Sequence, residues 1–332
     1  MDRKENMRQP TALVTGMTGQ DGPYLAEFLL RHGYRVYGLV KRYSNPNLDN
    51  LKWLGIENEV DLITGDITDE NSMNHIMRTI QPVEVYNLAA QSFVGISWDL
   101  NKLTTEVNAM GPLNILNAIR THSPNSRFYQ ASTSEMFGNA TTPQQDENTP
   151  FTPRSPYGVS KLYAHWMTVN FRESYSLFAC SGILFNHESP LRGREFVTRK
   201  VTDAVAKIKL GLASSVTLGN LDSRRDWGFA GDFVEAMWLM LQQSAARDYV
   251  IATGEQHTIG DLCRVAFEHV GITDWQPLVK SDPRFKRPAE LYSLCGDSTS
   301  ARNLLGWQPR VSFEDMVRSM VDADLERLQT GQ

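Results

Sequence analysis

The chain has 332 residues, 41% of them hydrophobic and 21% charged, an ordinary globular composition that excludes a disordered or low-complexity protein. Lys and Arg number 33 against 38 Asp and Glu, a formal charge of −5, and no sustained basic block occurs, which argues against a nucleic-acid partner. No long apolar run suggests a membrane span, and the polar first ten residues lack a signal-peptide core, so the expected compartment is the cytoplasm. Cys180, Cys263 and Cys295 are widely spaced and suit reduced structural thiols, while no His, Cys, Asp or Glu spacing indicates a metal.

Along the chain, Thr11 to Thr15 is a short β-like run that meets a glycine-rich turn. A helix is expected from about Tyr24 to Arg31, and Arg35 to Val40 completes a β-α-β unit. Further strands are expected at Val60 to Ile63, Glu84 to Leu88 and Arg127 to Ala131, with a helix around Leu103 to Arg120. Tyr157 to Tyr175 reads as a helix and Leu177 to Phe185 as another strand. This alternation predicts an α/β fold, a Rossmann-type, mostly parallel sheet covered on both faces, with ligands beyond the carboxyl ends of the strands.

From about Leu191 the pattern loosens into a smaller C-terminal α/β region. Helices are expected at Val197 to Leu210, Phe233 to Gln242, Ile259 to Val270, Ser298 to Leu305 and Phe313 to Arg327, and short strands at Val216 to Leu218 and Tyr249 to Ala252. The polar run Ser223 to Asp226 has no assigned element. Residues 11–190 are therefore expected to form the main cofactor domain and 191–328 the main substrate region, with a return to the main sheet left open.

Two motifs carry chemistry. In Thr15-Gly16-Met17-Thr18-Gly19-Gln20-Asp21-Gly22, three glycines lie between a strand and a helix. Glycine allows positive φ and close backbone approach, and a helix N-terminus offers unpaired N–H groups to a pyrophosphate, so Gly16, Thr18, Gly19, Gln20, Asp21 and Gly22 are candidates for a dinucleotide. After the second strand comes Lys41-Arg42 rather than an acid, and a cation there favours the 2′-phosphate of NADP over the free ribose of NAD. By strand order Asp66 and Ile67 border the adenine, and the run Leu88-Ala89-Ala90-Gln91-Ser92 passes the nicotinamide half.

The second motif, Tyr157-Gly158-Val159-Ser160-Lys161, puts a phenol and an ammonium on one side of a helix. The ammonium is expected to lower the phenol's pKa, so that Tyr157 exchanges a proton with a sugar hydroxyl during hydride transfer. Thr133, just past the Arg127 strand, is placed to hydrogen-bond the same oxygen. Glu135 adds a carboxylate that a simple dehydrogenase does not need, able to remove a proton next to a carbonyl and to protonate a departing hydroxyl.

On these residues the chain resembles the extended short-chain dehydrogenases/reductases and, within them, the GDP-mannose 4,6-dehydratases. The resemblance runs from Thr11 to about Leu325 and is densest at Thr15–Gly22, Asn87–Val94, Tyr129–Gly138, Tyr157–Lys161, Gly182–Lys200, Gly219–Gly228, Arg287–Glu290 and Leu305–Pro309. It implies catalytic roles for Thr133, Glu135 and Tyr157, with Lys161 supporting the tyrosine and the cofactor. It places His187 and Arg192 by NADP, and Ser92, Glu135, Asn186, Arg225, Arg287 and Glu290 around a nucleotide-sugar such as GDP-mannose. It also implies a homodimer or homotetramer. Two positions depart from the family pattern: Tyr43 replaces a second arginine, which weakens the phosphate clamp and the case for a tetramer, and Tyr292 replaces an acid. A nucleotide-sugar epimerase or reductase, and a non-catalytic dinucleotide-binding protein, are the competing readings.

Overall fold

The computed structural model describes residues 9–42, 46–282 and 294–331. The first half runs β1 (Thr11–Thr15), α1 (Asp21–Arg31), β2 (Arg35–Val40), α2 (Asp49–Trp53), β3 (Asp61–Thr64), α3 (Glu70–Ile80), β4 (Glu84–Asn87), α4 (Asn101–Thr105), α5 (Gly111–His122), β5 (Arg127–Thr133) and α6 (Pro156–Tyr175). The second continues with β6 (Ala179–Leu184), β7 (Asn186–Glu188), α7 (Val197–Lys209), β8 (Val216–Leu218), β9 (Arg224–Arg225), β10 (Trp227–Phe229), α8 (Ala230–Leu241) and β11 (Tyr249–Ile251). It closes with β12 (His257–Thr258), α9 (Ile259–His269), β13 (Val279–Ser281) and α10 (Phe313–Thr330).

Seven strands pair in parallel in the order β11-β6-β5-β4-β1-β2-β3. Residues of α1 and α8 bury one face of the sheet, and residues of α3, α5 and α6 bury the other. That double cover explains why β4 and β6 are buried at every position, and why β6 reads as an unbroken run of apolar and small residues. The sheet grows outward from β1 in one direction and from β4 in the other. The crevice between the carboxyl ends of these two neighbours is where such sheets bind ligands. In the C-terminal region α7, α9 and α10 pack around β8 and β10 in a separate core. The chain nonetheless returns to the main sheet, because β11 pairs with β6 through Tyr249 to Gly182.

Four local differences from the sequence reading have physical causes. Helix α1 starts at Asp21, three residues before the expected Tyr24. Gly22 and Pro23 resemble breakers, but N–H groups of a first helical turn need no intrahelical partner, so Pro23 costs nothing there. The helix expected at Leu103 to Arg120 runs from Asn101 to His122 and widens into a π-turn at Glu106–Met110. Pro112 follows directly, where its ring and missing N–H disfavour a regular α-turn. Strand β5 extends to Thr133, held by pairing of Ser132 with Ile183 and Thr133 with Leu184, so both residues end the strand instead of following it. The polar run near Ser223 forms β9, which pairs antiparallel with β12.

Candidate active site

The ends of β1 and β4 are joined before they meet a ligand. Thr15 donates to Asn87 Oδ1 at 2.7 Å and accepts from Leu88 and Ala89 N–H at 3.1 and 3.0 Å. Gly16 has φ +72°, and a Cβ there would lie 2.8 Å from Ala89 N, so only glycine lets the two loops approach this closely. A Cβ on Gly22 would lie 2.6 Å from Gly16 O, which fixes the turn against the start of α1. Gln20 makes no capping hydrogen bond there, so the first-turn N–H groups are open to an anion. Thr18 and Gly19 are exposed beside them. These features fit a pyrophosphate.

The other dinucleotide candidates divide. Arg42 is exposed at the end of β2, whereas Lys41 reaches Asp66 at 3.2 Å. Burial favours the neutral Asp66 carboxyl, but hydrogen bonds from Thr68 and the Lys41 ammonium prevail and hold its pKa below the usual value. The Ile67 side chain is buried, with Gly111 close against it, so its side chain does not line an open pocket. Leu88, Ala89, Ala90 and Gln91 are half-buried and Ser92 is exposed. The loop is braced by Asn108 of the π-turn, which accepts from Gln91 N at 2.8 Å and donates to Gln91 O at 3.0 Å. Sequence reading places Thr15 and Asn87 in motifs without a role of their own and misses Asn108. Polar residues closing buried strands, and a carboxamide just before Gly-Pro, were the available signals.

At the end of β5 the chemical candidates converge. Thr133 Oγ1 accepts from Glu135 N at 3.3 Å and starts the 3-10 turn Ser134–Met136. Ser155 caps α6 by accepting from Gly158 N at 3.0 Å, and Pro156 sits in the first turn, which presents Tyr157 and Lys161 four residues apart. Burial pushes the Tyr157 phenol up to about 12; a hydrogen bond with Thr133 opposes this and the Glu135 charge adds to it. Lys161 donates to Ala131 O at 2.8 Å and lies 5.9 Å from the Tyr157 ring centroid, and burial pushes it down to about 8. The expected lowering of the phenol by the ammonium is thus overturned: both side chains are buried, and burial favours each neutral form.

Opposite the glycine turn, Gln20 donates to His187 O at 3.0 Å and accepts from Ser189 Oγ at 2.9 Å. Asp21 turns its carboxylate to His187 Nε2 at 2.8 Å, while His187 Nδ1 faces Phe185 O at 2.8 Å. Both ring nitrogens therefore face oxygens that only accept, which calls for the imidazolium. Burial opposes that charge, but Asp21 prevails and raises the His187 pKa; the same pairing outweighs burial at Asp21 and lowers its pKa. Arg192 lies 2.9 Å from Glu188 without hydrogen-bond alignment and stacks 3.5 Å over Phe196.

Of the substrate candidates, Asn186 is half-buried on β7 and Arg225 is buried on β9, opposite His257 of β12. Arg287 and Glu290, like Tyr43 and Tyr292, lie outside the described residues. Asp226, which the sequence gives no role in the polar run, is fully buried and joins β9 and β10 to Thr253, Gly254 and Gly296. Among the described residues no group of three or more His, Cys, Asp or Glu could hold a metal, and no helix is long and apolar enough to cross a membrane.

Comparison with known proteins gives this arrangement a context. A solved Thermus thermophilus UDP-glucose 4-epimerase, in complex with NAD, superposes with a TM-score of 0.82 at 28% identity, covering 95% of this chain and 98% of that one. GDP-mannose 4,6 dehydratase 1 of Arabidopsis thaliana is 51% identical over 95% of this chain and 90% of its own length. The GDP-mannose 4,6 dehydratase of Homo sapiens is 48% identical over 96% and 92%. The family model described as GDP-mannose 4,6 dehydratase matches residues 13–320, and with these relatives it shows that the chain belongs to that family.

Proposed function

We propose that the protein is an NADP-dependent lyase that converts GDP-α-D-mannose to GDP-4-dehydro-6-deoxy-α-D-mannose and water. The observation that carries this reading is the convergence of Thr133, Glu135, Tyr157 and Lys161 at the end of β5, beside the glycine turn. A bound nicotinamide dinucleotide supplies the hydride acceptor and donor and, when oxidised, a positive charge that favours the phenolate. The turn Gly16–Gly22, the loop Leu88–Ser92, Asp66, the Ile67 backbone, His187 and Arg192 would surround it, with Lys161 on its ribose. Arg42 favours the phosphorylated form, since a guanidinium suits a phosphate.

Tyr157 takes the proton of the sugar C4 hydroxyl, and Thr133 holds the same oxygen. Lys161, anchored on Ala131 O, steadies the phenolate when charged. Oxidation at C4 makes the C5 proton acidic, and Glu135 removes it. Glu135 then returns a proton to the C6 hydroxyl as water leaves, and the 4-keto-5,6-ene so formed would take the hydride back at C6 and a proton at C5, matching the one Tyr157 removed, to give the 6-deoxy product. Ser92, Asn186, Arg225, Arg287 and Glu290 hold the nucleotide-sugar, for which residues 191–328 supply most contacts. An apolar face on the paired helices around α4 and α6, with Leu100, Leu103, Met110, Val159, Tyr163 and Trp166 exposed, supports a homo-oligomer.

The deciding experiment incubates purified protein, NADP and GDP-mannose and identifies the product by mass spectrometry. Loss of one water with no net change in NADPH absorbance is expected, and Tyr157→Phe should bind cofactor yet convert at least a hundredfold more slowly, on the order expected for a lost acid–base group. A folded, cofactor-loaded Tyr157→Phe protein with parental turnover would reject the tyrosine's role. An epimerised product of unchanged mass would favour the epimerase reading.

A further inference from the structure

One side chain outside every motif joins two parts of the cofactor end. Asn50, the second residue of α2, donates through Nδ2 to Gly19 O at 2.8 Å and to Leu191 O at 3.3 Å. Gly19 belongs to the turn whose neighbouring N–H groups suit a pyrophosphate. Leu191 ends the segment that starts with β7 and crosses the beginning of α1, where Gln20 holds His187 and Ser189, and Asp21 holds His187. The same segment is gripped from behind. Arg199 and Arg327 donate to Pro190 O at 2.9 and 2.8 Å, and the Arg327 guanidinium lies 3.9 Å over the Trp53 ring of α2. Helix α2 is anchored in turn by Leu51, which is buried in the main core. Asn50 thus presents its amide from a fixed base, in the stretch that begins at Arg42.

We infer that Asn50 is a positioning residue for the dinucleotide, fastening the segment 186–191 to the glycine turn and slowing cofactor release. The inference rests on the dinucleotide reading above. A cycle that regenerates its cofactor gains from keeping it bound, and release requires the turn and the segment to part.

The chemistry of the contact gives a signature that packing cannot imitate. Asn50→Ala removes both hydrogen bonds and leaves two carbonyls able to meet water. Asn50→Asp keeps the size but sets a negative charge against two carbonyl oxygens. A packing role predicts that the isosteric change is the milder; a two-carbonyl fastening predicts that it is the more severe. The test loads the parent, Asn50→Ala and Asn50→Asp with NADPH, displaces it with excess NADP and follows fluorescence by stopped flow, alongside melting curves of the cofactor-free proteins. Release should accelerate about tenfold in Asn50→Ala, on the scale of one to two neutral hydrogen bonds, and further in Asn50→Asp, with cofactor-free melting near parental. Equal release rates in all three proteins, or a milder effect of Asn50→Asp, would overturn the inference while leaving the dinucleotide reading in place. A parent that binds no NADPH would overturn both.

Discussion

Replacing Asp226 with Asn tests how the proposed substrate half of the site is held. The buried carboxylate accepts from Thr253 N and Oγ1 at 2.9 and 2.6 Å through Oδ1, and from Gly254 N and Gly296 N at 2.9 and 3.1 Å through Oδ2. A carboxamide that keeps its oxygen on Gly254 and Gly296 turns its NH2 toward Thr253, whose hydroxyl can accept from it and donate instead to Glu255 O. One buried donor, Thr253 N, then loses its partner at about 1–3 kcal/mol. An opposing effect reduces this: burial raises the Asp226 pKa despite those four bonds, so the neutral amide recovers part of the cost of burying a charge. The expected net loss is about 0.5–2 kcal/mol, or a melting midpoint roughly 1–3 °C lower. The damage is also directional. Asp226 adjoins Arg225, and Gly296 follows the stretch carrying Arg287 and Glu290, whereas none of the four groups that donate to its carboxylate belongs to the glycine turn. GDP-mannose KM should therefore rise several-fold, about the worth of 1 kcal/mol, while NADPH affinity stays near parental. Calorimetry, steady-state kinetics and an NADPH titration measure the three quantities. An unchanged melting midpoint, or equal losses of both affinities, would refute the reasoning.

Glu135→Gln keeps side-chain size and deletes the base, so with C5-deuterated GDP-mannose it should still form NADPH and a 4-keto sugar while losing no water. The 4-keto-6-deoxy product at parental rate would falsify that role. Arg42→Ala should narrow the preference for NADP over NAD by about tenfold, the scale of one charge-assisted contact; unchanged affinities for both nucleotides would reject the assignment. The Asp21–His187 pair gives a stability window. The raised His187 pKa contributes stability fully below its ordinary 6.5 and loses it as pH rises through the folded value. The lowered Asp21 pKa contributes above 3.8 and loses it as pH falls through the folded value. The melting advantage of the cofactor-free parent over His187→Gln should thus be large near pH 5–6 and shrink on the alkaline side; a pH-independent difference would contradict the imidazolium.

The main sheet was legible because β1, β2 and β4 are short apolar runs whose ends coincide with Gly, Asn or charged residues, and burial on both faces leaves few other readings. The glycine turn and Tyr157–Lys161 were legible for a different reason: each is local, so spacing alone conveys the geometry. The missed contacts are long-range. Nothing near Asn50 reveals Leu191, and nothing near Asp226 reveals Gly296, since folding alone brings those segments together. Charge state was the least legible property. The sequence shows a lysine one helical turn from a tyrosine, but burial of both side chains decides which way each pKa moves. Asp21 illustrates the same point, because its partner lies 166 residues away.

The late arrival of β11 bears on how the chain is made. Strand β6 is six residues of small and apolar character, Ala-Cys-Ser-Gly-Ile-Leu, with no proline or charge, and its outer edge is covered by β11. On the ribosome that edge emerges well before Tyr249. At roughly 5–20 residues per second, the nascent chain carries an open β edge for several seconds. Such an edge templates pairing with other chains. Chaperone dependence should therefore concentrate in this interval of synthesis, and a fragment ending near residue 190 would carry the same edge permanently, prone to aggregate whatever the quality of its cofactor turn.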